Sequence, residues 1–287
     1  MLKKSLTRVV TLVWIAFAAV HAQAQEWIPF ETIESSALPI VRASVNGIGG
    51  HRLVLDVGFN DLLLDTMLVD GAGMKLQEKG EIQEIGFYGK KEQVPVAYVQ
   101  TLQFGTAKFQ LVRTLLIEGE DGTGAGGLRS YGRIGRDILE PLRLTIHYPR
   151  HLLFLEPSPA DEVPEGGVTF TGAGRFLLVP VRLESAEGVV EAPFVLDPGT
   201  SNTLMDKKWA ASNGLAEKRA NDTVVPRVDI GGFSATDAPV LLGDIRSLPY
   251  DGEPVGVIGA DVMSSISITY DFARALVWLT RLDPDAS

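Results

Sequence analysis

Runs and alternations of apolar residues predict a chain of many short strands joined by tight turns. The first strand is expected at residues 38–41, and the Asn46-Gly47 pair that follows is typical of a two-residue β-hairpin turn. Residues 52–55 are mainly apolar and lead directly into Asp56, so this aspartate is predicted at the junction of a buried strand and a loop. Residues 62–64 form a further short apolar run.

The same pattern continues to the end of the chain. Helices are predicted only as short turns, at residues 66–74 and 206–214. Residues 155–176 are rich in proline and glycine and are predicted to be a linker. The remaining predicted strands lie at 101–117 (two strands around Gly105), 177–183, 189–196, 224–230, 239–242 and 266–270. Strands dominate, so the predicted class is all-β.

The chain contains an internal duplication. Leu53-Val54-Leu55-Asp56-Val57-Gly58 recurs as Phe194-Val195-Leu196-Asp197-Pro198-Gly199, 141 positions later (197 − 56), and at the same spacing Pro39 falls on Pro180 and Gly47 on Gly188. A second block, Gly132-Arg133-Ile134-Gly135-Arg136-Asp137, matches Gly256-Val257-Ile258-Gly259-Ala260-Asp261. Each half therefore carries one aspartate between an apolar run and a glycine, followed later by an Ile-Gly-x-Asp motif.

The first half holds 17 more residues than the second between these motifs, because Asp56 to Asp137 is 81 positions and Asp197 to Asp261 is 64. Residues 81–99 alternate between polar and apolar on either side of a Gly-Phe-Tyr-Gly sequence. This pattern predicts a hairpin that projects from the first half only, with Tyr88 near its tip.

Composition excludes several classes of protein. The chain has 26 basic and 36 acidic residues, a net charge of −10, which argues against a nucleic-acid partner. It contains no cysteine, so it has neither disulfides nor thiol chemistry. The histidines show no metal-ligand spacing and residues 122–127 lack the ending of a phosphate-binding loop, so no metal and no cofactor are expected.

The first 24 residues have the pattern of a secretory signal. Lys3, Lys4 and Arg8 precede an apolar stretch at 9–20, and Ala22-Gln23-Ala24 fits a cleavage site. The apolar stretch is shorter than the roughly 20 residues that span a bilayer, which favours a cleaved signal over a membrane anchor. We expect a periplasmic or secreted protein of bacterial type, without a membrane attachment after cleavage.

Two duplicated aspartates at strand ends suggest a specific chemistry. If the halves pack about a pseudo-twofold axis, Asp56 and Asp197 face each other, and two close carboxylates share a proton. Such a pair can activate a water with one carboxylate while the other protonates a substrate carbonyl. Gly58 and Gly199 fit this arrangement, because a residue without Cβ allows the backbone to approach the other half.

These motifs resemble those of the aspartic proteases of the pepsin and retropepsin type, over roughly residues 38–279. The resemblance implies two homologous β-barrel-like lobes with a peptide-binding cleft between them, Asp56 and Asp197 as catalytic residues, and the 81–99 hairpin as a flap that carries Tyr88. It also implies that Thr200 supports the second aspartate. The expected organisation is a signal peptide (1–24), a first lobe with the flap (25–156), a linker (157–175) and a second lobe (176–287). A single chain is then sufficient for one site, so we expect a monomer that acts on a peptide or protein substrate.

Three residues depart from the family pattern and keep an alternative open. Val57 and Pro198 stand where the family has a hydroxyl residue, and Phe59 stands where lobe two has Thr200. An active endopeptidase is therefore one hypothesis, and a catalytically silent peptide-binding protein on the same fold is the other. A third is an unrelated β-rich enzyme such as a glycosidase with two carboxylates.

The other recurrent aspartates have structural interpretations. Asp65 and Asp206 precede the two predicted helical turns and are expected to cap them. Asp137 and Asp261 are expected to make structural hydrogen bonds rather than to catalyse.

Overall fold

The computed structural model describes residues 27–33, 36–57, 60–87, 90–118, 130–158, 165–173, 176–245 and 253–281. The predicted signal peptide and the residues Gly58, Phe59 and Tyr88 lie outside these ranges. In the described part of the chain, no helix is both long and apolar enough to cross a membrane.

The first half of the chain is built mainly from strands, as predicted. Its elements are β1 (Ile28–Pro29), β2 (Glu31–Ile33), β3 (Ser36–Val45), β4 (Ile48–Leu55), β5 (Leu62–Asp65), α1 (Thr66–Gly71), β6 (Gln77–Phe87), β7 (Lys90–Phe104), β8 (Ala107–Ile117), β9 (Gly132–Ile134), α2 (Arg136–Leu139), β10 (Leu142–His147), a 3-10 turn (Tyr148–Arg150) and β11 (Leu152–Pro157).

The second half repeats this order with one strand fewer among the described residues. Its elements are β12 (Val168–Thr169), β13 (Thr171–Ala173), β14 (Phe176–Ser185), β15 (Gly188–Leu196), β16 (Leu204–Asp206), α3 (Lys207–Ser212), β17 (Asp222–Ile230), β18 (Phe233–Gly243), β19 (Gly256–Ile258), α4 (Ala260–Met263), β20 (Ile266–Asp271), a 3-10 turn (Phe272–Arg274) and β21 (Leu276–Arg281).

Each half closes into a β-barrel, so the chain has two homologous lobes. In lobe one the strand order is β2-β3-β4-β9-β5-β8-β7-β6, and β3 also pairs with β7. In lobe two the order is β13-β14-β15-β19-β16-β18-β17, and β14 also pairs with β17. These second pairings close a ring of six equivalent strands in each lobe, from β3 round to β7 and from β14 round to β17.

A third sheet joins the lobes across the pseudo-twofold axis. Its order is β1-β11-β10-β20-β21-β12, and the equivalent strands β10 and β20 are antiparallel neighbours. Thr145 lies opposite its own equivalent Thr269, with their hydroxyl oxygens 2.9 Å apart. The axis of the duplication therefore passes between these two threonines.

The predicted hairpin of lobe one is confirmed. Strands β6 and β7 pair antiparallel, with Ile85 opposite Glu92 and Phe87 opposite Lys90. Among the described residues, lobe two has no counterpart of β6, and β17 has 9 residues where β7 has 15. We refer to β6 and the part of β7 that pairs with it as the flap hairpin.

The ungapped 141-residue spacing does not hold throughout the first hairpin of each lobe. Val54 pairs with Ile40, 14 positions away (54 − 40), whereas its equivalent Val195 pairs with Leu178, 17 positions away (195 − 178). Lobe one has a register irregularity at Ala43–Val45, which lobe two lacks. Pro39 and Pro180 are therefore not structural equivalents, although the sequence suggested that they are.

The predicted linker is also partly ordered into strands. Its first residues continue β11, and β12 pairs with β21 as Val168 opposite Val277. This pairing is the lobe-two copy of Ile28 opposite Leu153. The proline and glycine content of this segment suggested a linker. Strands β12 and β13 were not predicted, because strands of two and three residues are too short to produce a periodic pattern.

The helix caps are as predicted. The carboxylate of Asp65 accepts a hydrogen bond from the amide of Met67 at 2.8 Å, and that of Asp206 accepts one from Trp209 at 2.9 Å. Both aspartates are buried at the start of their helices, where the first amides lack helical partners. The main hydrophobic core runs through both lobes beneath these helices.

Candidate active site

Asp56 and Asp197 occupy equivalent places at the ends of β4 and β15. The strand that leads into each Ile-Gly-x-Asp motif lies alongside the aspartate strand, because β4 pairs in parallel with β9 and β15 with β19. The amide of Asp56 donates to the carbonyl of Ile134 at 3.0 Å, and that of Asp197 donates to Ile258 at 3.1 Å. The Ile-Gly-x-Asp motif of each half thus supports the aspartate of the same half.

The glycine of each Ile-Gly-x-Asp motif is required by close packing against the aspartate loop. A Cβ on Gly135 would lie 2.3 Å from the carbonyl oxygens of Asn60 and Asp61. A Cβ on Gly259 would lie 2.5 Å from the carbonyl carbon of Asn202. No side chain fits at such distances, so only glycine allows α2 and α4 to begin directly against these loops.

The loop of Asp197 contacts lobe one next to Asp56. The amide of Ala37 in β3 donates to the carbonyl of Pro198 at 2.8 Å. A Cβ on Gly199 would approach the Leu38 side chain to 3.2 Å, which agrees with the predicted close approach of lobes at this glycine. Ile40 pairs with Val54, and continuing that register by two residues places Leu38 opposite Asp56. Leu38 therefore links the two aspartate loops.

The carboxylate of Asp197 is held within lobe two. Its Oδ1 accepts from the amide of Gly199 at 2.9 Å, and its Oδ2 accepts from the hydroxyl of Thr200 at 2.9 Å. Both bonds involve a carboxylate and are therefore stronger than neutral ones. They orient this side chain without any hydroxyl at Pro198.

The carboxylate of Asp56 has a different partner. Its Oδ2 accepts from the guanidinium of Arg133 at 2.7 Å, in an ion pair whose side chains are 16% and 27% exposed. The lobe-two equivalent of Arg133 is Val257, because Val54 pairs with Arg133 and Val195 with Val257. The duplicated site is therefore asymmetric in charge.

Two buried tyrosines lie within electrostatic range of Asp197: Tyr148 in the 3-10 turn after β10, and Tyr270 in β20. Burial raises the pKa of Tyr148 well above its ordinary value, and the neighbouring Tyr270 and the negative charge of Asp197 raise it further. Burial raises the pKa of Tyr270 as well, again with a contribution from Asp197. Neither hydroxyl has a hydrogen-bond partner among the described residues. Both buried hydroxyls are therefore uncharged groups near Asp197.

Asp261 makes structural hydrogen bonds, as expected. Its Oδ2 accepts from the amide of Thr203 and its Oδ1 from the Thr203 hydroxyl, both at 2.8 Å. The Thr203 hydroxyl oxygen also accepts from the amide of Gly259 at 3.2 Å. This network ties α4 to the segment that follows Thr200, and so to Asp197.

The equivalent network in lobe one is changed, because Leu62 replaces Thr203. Partial burial raises the pKa of the Asp137 carboxyl above its ordinary value, and the negative charge of Asp61 raises it further. Its amide still donates to the carbonyl of Asn60 at 2.9 Å, and the guanidinium of Arg136 donates to the Asn60 side chain at 2.7 Å.

The flap hairpin is tied to the loop that follows Asp56. The guanidinium of Arg113 in β8 donates to the carboxylate of Asp61 and to the side chain of Gln83 in β6. Ile85 and Val94 of the hairpin pack with Leu63 in a small apolar cluster separate from the main core. The hairpin therefore lies over lobe one beside Asp56.

The structure thus places Asp56 and Asp197 at equivalent strand ends, with Gly199 and Thr200 bonded to Asp197 and the Asp197 loop in contact with lobe one, and it confirms the hairpin. The placement of Gly58, Phe59 and Tyr88 remains a prediction, since they lie outside the described residues. Arg133 was not among the site residues predicted from the sequence. Its signal was present in the duplicated block, where an arginine stands opposite Val257 in an otherwise apolar strand.

Comparison with known proteins supports the fold but not a family assignment from sequence. No protein-family model matches the chain, and no curated protein matches it. A crystal structure of an aspartic proteinase from Irpex lacteus is similar, with a TM-score of 0.59 and 12% sequence identity. The match covers 92% of this chain and 99% of that one. The chain therefore has the pepsin-like aspartic proteinase fold, and the identity is too low to extend the likeness to activity.

Proposed function

We propose that this chain is an exported aspartic endopeptidase, in which Asp56 and Asp197 activate a water for direct attack on a peptide bond. The observation that carries the proposal is the duplicated support of both aspartates, each at a strand end with its amide bonded to the isoleucine of an Ile-Gly-x-Asp motif. The Ala37–Pro198 hydrogen bond supports the approach of the two loops.

In this mechanism one carboxylate removes a proton from the water and the other donates a proton to the substrate carbonyl oxygen. No covalent intermediate is formed. Asp197 is oriented by Gly199 and Thr200, and the flap hairpin covers an extended peptide from the lobe-one side. Preorganised carboxylates reduce the reorganisation needed in the transition state.

A second candidate function is supported by a specific observation. The guanidinium of Arg133 occupies Oδ2 of Asp56, an atom that a shared water would contact. The buried Val57 and Pro198 supply no hydroxyl to the loops. These features favour a peptide-binding protein that retains the cleft and does not hydrolyse its ligand. No described feature favours the glycosidase alternative.

Turnover separates the two candidates. The chain from Gln25 would be incubated with a broad peptide library from acid to neutral pH, beside Asp56→Asn, Asp197→Asn and the double variant. Cleavage by wild type that is lost in each variant would support the endopeptidase. Asp237→Asn serves as a control for the loss of one carboxylate, because Asp237 is exposed at a positive φ that asparagine also tolerates.

Absence of cleavage at every pH by a folded protein would reject the endopeptidase. Retention of the library peptides by the same protein would then support the binding alternative.

We also propose that residues 1–24 direct export and are removed, so that the mature protein begins at Gln25 and is a monomer. N-terminal sequencing of protein recovered from the periplasm or medium of expressing bacteria tests the cleavage, and light scattering tests the monomer. A mature chain that retains Lys3 and Lys4, or one confined to the cytoplasm, would reject the export.

A further inference from the structure

A row of cross-strand neighbours runs across each barrel from the aspartate strand outward. In lobe one each residue of the row pairs with the next across neighbouring strands, in the order Val54, Arg133, Leu63, Leu115 and Val96. Cross-strand partners project to the same face of a sheet. We call this set the lobe-one row.

The equivalent positions of lobe two form the lobe-two row. It is Val195, Val257, Leu204, Leu241 and Asp222, defined by the same sequence of pairings. The first three of these five are apolar and contact one another in a small cluster of their own. The strand next to the aspartate therefore presents Val257 in lobe two and Arg133 in lobe one.

Both rows lie on the face that carries the aspartates. Successive side chains of a strand alternate between faces, so Val54 and Asp56 project to the same side, as do Val195 and Asp197. The ion pair between Arg133 and Asp56 shows this directly for lobe one. A ligand that lies beside the aspartates thus meets a guanidinium in lobe one, whereas the equivalent place in lobe two is occupied by the uncharged and buried Val257.

The cross-strand neighbours of Arg133 in the lobe-one row, Val54 and Leu63, are apolar. Leu63 and Leu115 are fully buried under Ile85 and Val94 of the flap hairpin. A cation at this place is not needed for packing, since Val257 fills the same place in lobe two without exposed area. The arginine therefore calls for a functional explanation.

We infer that Arg133 selects peptides that carry a carboxylate, from a glutamate or aspartate side chain, at the position bound beside Asp56. The inference rests on the proposed peptide-binding function of the cleft. Arg133 is 27% exposed, so its guanidinium is accessible to a ligand, and its planar fork suits a carboxylate. The ligand carboxylate takes over contacts that the guanidinium makes with Asp56.

This exchange has a consequence for the reaction. While Arg133 contacts Asp56, its guanidinium occupies Oδ2; when it contacts a ligand carboxylate, that oxygen becomes available to a water. During the exchange the guanidinium keeps a carboxylate partner, so the charge of Arg133 stays paired throughout. An acidic substrate thereby favours its own hydrolysis, and the contact of Arg133 with Asp56 is then compatible with an active site.

The test compares pairs of peptide pools. In each pair one position is fixed as Glu in one pool and as Gln in the other, and all remaining positions are randomised; a separate pair is made for each position of the peptide. Turnover is measured with wild type, and equilibrium binding of the same fluorescent pools is measured by anisotropy with Asp197→Asn. We expect a preference of about tenfold for Glu over Gln at one position, as for a charge-assisted contact worth about 1.4 kcal/mol. Arg133→Val should abolish this preference, and Arg133→Lys should retain part of it.

Arg52→Val is the matched control for the loss of one positive charge. Arg52 lies on β4 with a similarly exposed side chain and an ion pair to Glu31, so its removal should leave the Glu preference unchanged. Arg133→Val recreates the lobe-two residue on the same row, which favours folding of the variant, and circular dichroism checks it.

The outcomes separate this inference from the proposed function. Equal binding of Glu and Gln pools at every position, or a preference that survives Arg133→Val, overturns the inference even if the enzyme cleaves peptides. A Glu preference in binding that depends on Arg133, without any turnover by wild type, supports the inference and rejects the endopeptidase.

Discussion

Thr203 provides the sharpest test of how the fold supports Asp197. Its hydroxyl donates to Oδ1 of Asp261 at 2.8 Å and accepts from the amide of Gly259 at 3.2 Å. Thr203 is 3% exposed, so Thr203→Val removes both bonds at nearly constant volume and without a cavity.

The expected magnitude follows from these two contacts. A hydrogen bond to a charged group contributes about 1.5–3 kcal/mol, and a buried amide left without an acceptor costs about 1–3 kcal/mol. Relaxation of the short helix α4 recovers part of this, so we expect a loss of about 3 kcal/mol in the free energy of unfolding. The amide bond from Thr203 to Oδ2 of Asp261 remains, which keeps the loss below that expected for removal of Asp261 itself.

The measurement is urea unfolding of wild type, Thr203→Val and Thr203→Ser, with the midpoint compared at a common slope. Serine keeps the hydroxyl, so Thr203→Ser should lose about 1 kcal/mol or less. Because α4 contacts the loop through the Ala260 amide and the Thr200 carbonyl at 2.7 Å, turnover should fall with stability in the valine variant. A valine variant within about 0.5 kcal/mol of wild type, or a serine variant as unstable as valine, would refute the reasoning.

Three further predictions concern single side chains. Thr200→Ala removes the hydrogen bond from the Thr200 hydroxyl to Asp197 Oδ2 and should lower kcat by about tenfold to a hundredfold with little change in KM. Thr200→Ser keeps the hydroxyl and should retain activity. Equal kcat values for the alanine and serine variants would contradict this prediction. Tyr270→Phe removes a buried hydroxyl that has no hydrogen-bond partner among the described residues, so thermal unfolding should show unchanged or higher stability. A fall of more than about 1 kcal/mol in the free energy of unfolding would show that the hydroxyl is hydrogen-bonded. Burial lowers the pKa of His147 below its ordinary value of 6.5. The Nδ1 atom of His147 accepts a hydrogen bond from the Arg150 amide only when the ring is neutral. The stability that neutral His147 contributes is therefore present above pH 6.5 and is lost as the pH falls below that value. His147→Asn keeps an acceptor that does not titrate and should flatten the pH dependence of the melting temperature between pH 7.5 and 5; an unchanged slope would contradict this.

Much of the fold was predictable because the duplication provides two independent copies of each signal. The aspartate motifs, the caps at Asp65 and Asp206 and the extra hairpin of the first half were all evident from spacing. Local chemistry is sufficient for these features, since a cap or an Asn-Gly turn acts within a few residues of itself.

Features that depend on register and on side-chain reach were not predictable. The ungapped spacing concealed the irregularity at Ala43–Val45, because a bulge changes pairing without changing the hydrophobic pattern at its ends. The strands β12 and β13 are stabilised by their neighbours rather than by their own sequence. The contact between Arg133 and Asp56 joins residues 77 positions apart, and only the parallel pairing of β4 with β9 brings them together.

The two lobes therefore differ in the side chains that surround their aspartates. Lobe two retains the hydrogen bonds that orient a carboxylate, through Gly199 and Thr200, and the Thr203 network that holds their loop in place. Lobe one replaces Thr203 with Leu62 and Val257 with Arg133, and it gains the flap hairpin. In a symmetric dimer of identical lobes every change affects both half-sites, so a cation beside one aspartate would also stand beside the other. Fusion of the lobes into one chain removes that constraint. Such a chain can hold one aspartate by hydrogen bonds within its own loop and pair the other with an arginine, and this asymmetry is why Arg133 is the residue to test after the aspartates themselves.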